Sequence, residues 1–148
     1  MTMTRFLTLI MLFAGFSLST FASKEPAYNA KILLIPLDDR PPCLQFTERM
    51  GLIGDAQVIA PPFALLGRFT DPGQSDKIID WLLQQDLKSF DAAILSLDML
   101  AYGGLVGSRV HNVAYDVALK RLAVVEAIRK KAPGLKLYAQ SVVMRLAP

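Results

Sequence analysis

Short apolar runs separated by stretches of helical periodicity constrain this chain more than any other feature. Lys31-Ile32-Leu33-Leu34-Ile35 ends at Pro36, and Ala56 to Ala60 stops at Pro61-Pro62. Asp91 to Leu97 is built on Ala92-Ala93-Ile94-Leu95, and Leu135 to Val143 follows Pro133-Gly134. Continuous apolar runs mark strands covered on both faces. Proline ends such a ladder because it has no amide donor.

Between the runs the period changes. Leu44 to Gly51 reads as a short helix, and Asp71-Pro72-Gly73 as a turn. Ser75 then caps a helix carrying Ile78, Ile79, Leu82 and Leu83 on one face, with Trp81 at its margin. Asn112 opens a long helix with Ala114, Ala118, Leu122 and Val125 at helical spacing, closed near Ala132 by Pro133-Gly134. Strand and helix alternate four times, with the helix after the fourth strand missing. The fold class expected is therefore α/β, with a parallel sheet of about four βα units joined by right-handed crossovers.

An open doubly wound sheet and part of an eight-fold barrel both fit this alternation. No Gly-x-Gly-x-x-Gly follows the first strand, so a dinucleotide site has no support and no cofactor is expected. Four units make half a barrel, and the chain stops at Pro148 just past a strand with nothing to cover it. An uncovered apolar edge strand is a liability. The expectation is the first half of a barrel-like domain, completed by a complementary C-terminal segment.

The N-terminus has a separate character. Arg5 precedes the apolar run Phe6 to Phe16, and Thr20-Phe21-Ala22 follows, which is the order of a secretory signal. The run is shorter than the roughly 20 residues that span a bilayer. Residues 1–22 read as a signal peptide cleaved after Ala22, 23–30 as a linker and 31–148 as the domain. The expected location is periplasmic or extracellular, without stable membrane insertion. Cleavage leaves 15 basic and 13 acidic side chains, a balance that predicts no nucleic-acid partner. Cys43 is the only cysteine, which forbids an intramolecular disulfide and reads as a small apolar residue opening a helix.

In a parallel sheet the carboxyl ends of all strands share one edge, so polar residues there converge on one crevice. Three clusters lie at such ends: Pro36 to Pro42, Ser96 to Gly104, and Met144-Arg145. In an extended segment Asp38 and Arg40 face one side and Asp39 the other. Asp38 and Asp98 are the candidate catalytic carboxylates, each with a structural alternative, an Asp38–Arg40 ion pair or capping of the Met99 to Gly104 turn by Asp98. Arg40, Ser96, Tyr102, Gly103, Gly104, Arg109 and Arg145 are the candidate binding residues: arginines for anions, Tyr102 for stacking on a sugar or a base, glycines for close backbone approach. His111 has no second ligand at zinc spacing, and no metal site is assigned. A hard metal held by Asp38 and Asp98 stays open as an alternative.

Pro36-Leu37-Asp38-Asp39-Arg40-Pro41-Pro42 and the stretch from Ser96 to Arg109, with Pro61-Pro62 and Leu66-Gly67 between them, resemble the bacterial domain of unknown function family 4127. The resemblance runs from about Lys31 to the end of the chain. It implies a protein several times longer and assigns no activity. The positions that carry it are Asp38, Arg40, Pro41, Ser96, Asp98, Tyr102, Gly103, Gly104, Ser108 and Arg109. The function expected is a hydrolase fragment acting on carbohydrate or cell-wall glycan. A metal-assisted phosphate or sulfate ester hydrolase and a non-catalytic glycan-binding protein are the alternatives.

Overall fold

The computed structural model describes residues 27–68, 70–110 and 112–143. The signal-like segment, His111 and Met144-Arg145 lie outside them. Four strands form: β1 Ala30–Ile35, β2 Ala56–Ile59, β3 Ala92–Ser96 and β4 Lys136–Gln140. All pair in parallel, in the order β2-β1-β3-β4. The α/β class and the parallel sheet are thus as the alternation predicts. Consecutive strands of an eight-fold barrel are neighbours, whereas β1 stands here between β2 and β3. The described strands follow the doubly wound order, the other architecture open to this alternation.

Six helices accompany the described strands: α1 Gln45–Ile53, α2 Ser75–Gln84, α3 Leu97–Tyr102, α4 Leu105–Val110, α5 Tyr115–Leu122 and α6 Val124–Lys131. One face of the sheet carries Leu33, Ile35, Ala93 and Leu95, all fully buried. Against it pack Ile78 and Leu82 of α2, Met99 and Leu100 of α3, and Val124 and Ile128 of α6, none more than 4% exposed. These are the periodic apolar positions of each helix, removed from water together. On the opposite face α1 lies so close to β2 that a Cβ added at Gly51 would collide with the Val58 side chain. Pairing sets Leu34, Ile94 and Tyr138 in one row on this second face. Leu34 is buried there and Tyr138 is 59% exposed.

Several local readings change. Ser75 does not cap α2; it is the first helical residue, and its hydroxyl donates to the Met99 carbonyl (2.8 Å), joining α2 to α3. The long helix begins at Tyr115 rather than Asn112 and is interrupted at Ala123. Arg121 of α5 forms a fork on Asp76 (2.9 and 2.8 Å) and also donates to the Ala101 carbonyl (2.9 Å). The fork lowers the pKa of Asp76, and with the Ala101 bond Arg121 ties three helices together. The glycine-bearing stretch after β3 is no open loop, for α3 starts directly at Leu97 and α4 follows after Gly103-Gly104.

Leu95 sits at the centre of the fully buried face. Leu95→Ala is expected to lower stability by about 2–5 kcal/mol through lost transfer and cavity terms. Urea unfolding of the full chain, followed by far-ultraviolet circular dichroism, measures it.

Candidate functional site

Three strand-end loops meet at the carboxyl edge of the sheet, and backbone contacts join them. Gly103 ends α3 in the left-handed conformation, φ +83°, and accepts at its carbonyl a hydrogen bond from the Gly73 amide (2.7 Å). A Cβ at Gly103 would lie 2.6 Å from the Gly73 carbonyl oxygen. Gly104, at φ +118°, leaves only 2.9 Å between such a Cβ and the Leu37 carbonyl oxygen. A side chain at either position would push the loops apart. The glycines read as points of close approach do approach something closely, namely the loops after β1 and β2.

Their meeting forms a cleft of about 40 Å³, lined by Asp38, Asp39 and Arg40 after β1, Asp71 and Pro72 after β2, and Gly103 to Gly107 in part after β3. Asp38 is its best-anchored polar group. One carboxylate oxygen accepts from the Arg40 amide (3.1 Å), the other from Arg40 Nε (2.8 Å) and Nη2 (2.5 Å). The Asp38 side chain is 13% exposed and that of Arg40 49%. Burial opposes charge on Asp38, but the Arg40 guanidinium, the Cys43 thiol and the Arg40 amide outweigh it and hold the carboxyl below its ordinary value. The Asp38 hydrogen bond raises the pKa of Arg40 in return. Burial, with Asp38 beside it, pushes the Cys43 thiol up to about 11, so it stays protonated at neutral pH.

Residues 37–40 bend, and Asp38 turns back onto the amide of Arg40. Strict strand alternation therefore fails, and Asp39 lines the same cleft instead of facing away. The Arg40 carbonyl accepts from the amides of Cys43 (2.9 Å) and Leu44 (3.2 Å), a turn that carries the Pro41-Pro42 pair into α1.

The third-strand residues fare differently. Ser96 is wholly buried, and its hydroxyl oxygen accepts from the Met99 amide (3.3 Å) as the cap of α3. Asp98 belongs to the first turn of α3 and not to the strand. It is 5% exposed, and its carboxylate accepts from the Val142 amide (2.9 Å), fastening the chain that leaves β4. Asp98 and Tyr102 lie outside the lining of the Asp38 cleft. Arg109 is exposed on α4, and Arg145 lies outside the described residues. Among the described residues no three His, Cys, Asp or Glu side chains come together in a way that could hold a metal ion.

Asp71 and Thr70 were not singled out from sequence, although both line the cleft. The signal was present: the Asp71-Pro72-Gly73 turn follows the second strand at the same sheet edge. Arg68 and Asp71 close that turn by exchanging backbone hydrogen bonds of 3.1 and 2.8 Å.

These features define a parallel α/β protein with a carboxylate–guanidinium pair at the strand ends. The family described as Protein of unknown function (DUF4127) matches residues 32–148, and the chain belongs to it. No curated protein and no solved structure matches the chain.

Two outcomes follow from the geometry. Arg40→Met should move the Asp38 pKa upward, read from its carboxyl carbon by NMR. Because the folded value is depressed, the pair adds stability above the unfolded aspartate value of about 3.9 and loses it as pH falls through the lower folded value. The variant should lose that pH-dependent part. Gly104→Ala, forced to keep a positive φ against the Leu37 carbonyl, should cost on the order of 1–3 kcal/mol by urea unfolding.

Proposed function

We propose that this chain forms the strand-end crevice of an exported hydrolase acting on carbohydrate or cell-wall glycan, with Asp38 as its ionised carboxylate. One observation carries the reading: a carboxylate held in the charged form by Arg40 opens on a cleft built from three strand-end loops. A depressed pKa suits a nucleophile or a base that activates water, since a general acid has to be protonated at working pH. A cavity of about 40 Å³ has room for a water molecule or two beneath a sugar lying across the mouth. Asp39 and Asp71 line the same cleft and supply its other two carboxyl groups. Asp98, spent on the Val142 amide, acts in this reading by holding the chain after β4.

The binding-protein alternative draws support from the same pair, because both oxygens of Asp38 already have donors from Arg40. The metal-assisted alternative has no triad of donors among the described residues to support it.

The full chain incubated with chromogenic glycosides and soluble cell-wall glycan should release reducing ends. Asp38→Asn should lower that rate by about 10²-fold or more while leaving glycan affinity nearly unchanged. A chelator should have no effect. Turnover that survives Asp38→Asn overturns the assignment, whereas glycan binding without turnover by the parent chain transfers the case to the binding protein.

A further inference from the structure

A second concavity lies at the same sheet edge and shares no lining residue with the carboxylate cleft. It opens on the face where Leu34, Ile94 and Tyr138 stand in register. Its volume is about 340 Å³, within the range of small-molecule sites. Leu34 and Ile94 form its sheet side, Pro42, Cys43 and Thr47 its wall toward α1, and Gln140 its boundary on β4. Leu34 is only 3% exposed, so little of it reaches the hollow, while Ile94 beside it is half-buried.

Position adds to shape. The chain leaves β1 for β2 on one side, while β3 pairs with β1 on the other. The carboxyl ends of β1 and β3 therefore flank the place where the winding reverses, and in open α/β sheets ligands settle in the crevice at that place. The hollow lies there, between the start of α1 and the ends of β1, β3 and β4.

Its chemistry narrows the ligand. No lining side chain carries a formal charge, since the Cys43 thiol, with a pKa of about 11, remains neutral. An ionised ligand would lose hydration there without gaining a counter-charge, and an anion would also approach the Asp38 carboxylate behind Cys43. Proline and aliphatic walls favour a flat apolar body, and Gln140 brings a side-chain amide able both to donate and to accept. We propose that this groove binds an uncharged, flat organic group of ring size bearing an amide or similar neutral polar edge. The proposal stands independently of the hydrolase reading, because none of that cleft's residues lines the groove.

Isotope-labelled full chain titrated with benzamide, benzoate and benzylamine tests it. Benzamide should shift the methyl signals of Leu34 and Ile94 and the side-chain amide of Gln140, with the two charged probes weaker by about tenfold or more. Thr47→Phe, which fills the groove from α1, should abolish the shifts while the Leu95 methyl signals remain in place. Should that variant fail to fold, the parent chain still answers, because benzamide should slow alkylation of the lone Cys43 by iodoacetamide. No benzamide shift, an equal response to benzoate, unaltered Cys43 alkylation, or shifts centred on Tyr138 and Met50 rather than the groove would overturn the proposal.

Discussion

The strand-end architecture depends on the contact between the glycine pair closing α3 and the two loops beside it. Gly103 takes a hydrogen bond from Gly73, and Gly104 lies against the Leu37 carbonyl. Loops leaving different strands would otherwise diverge, since each is aimed by its own following helix. Here three are held within van der Waals distance of one another. Asp38, Asp39 and Asp71, which come from two of them, share one small cleft as a result. The Ser75 hydroxyl on the Met99 carbonyl and the Arg121 guanidinium on the Ala101 carbonyl support the same helix from behind.

Electrostatics at this edge is local. The Asp38 carboxylate receives three donors from the residue two positions further on, and the rigid Pro41-Pro42 step follows at once. An ion pair closed over so short a span loses little chain entropy on forming. The Arg40 side chain is 49% exposed, so solvent still screens the pair. Asp98 shows the other use of a strand-end acid, where a buried carboxylate meets one backbone amide and joins the end of β4 to the start of α3. Two aspartates that look alike in sequence thus differ in what they can offer a ligand. One borders a cleft and the other anchors a chain.

The two hollows divide the labour of the sheet edge by charge. The small cleft gathers Asp38, Asp39, Asp71 and Arg40, while the larger groove on the other face carries no charged side chain. The loop from Leu37 to Pro42 borders both. Its composition, apolar at Leu37, charged through Arg40 and then proline, matches that division.

Much of the fold was legible in the residues. Short apolar runs, two of them stopped by proline at Pro36 and Pro61, marked the four parallel strands, although most of β4 is exposed. The pairing of Asp38 with Arg40 was legible too, since both lie within one short segment whose exit is stiffened by proline. What the chain order left open was the neighbourhood of each strand, and with it the choice between a barrel and a doubly wound sheet. That choice is made by long-range pairing of β1 with β2 and β3, which no local pattern encodes. Asp71 entered the cleft through the Gly73–Gly103 contact, and Asp98 was drawn away to Val142, for the same reason, whereas Asp39 turned inward with the local bend at 37–40. Local periodicity determined which residues became strand and helix; only the packed tertiary structure decided which strand-end side chains met, because bends and helix starts re-aim side chains by distances set by contacts far apart in sequence.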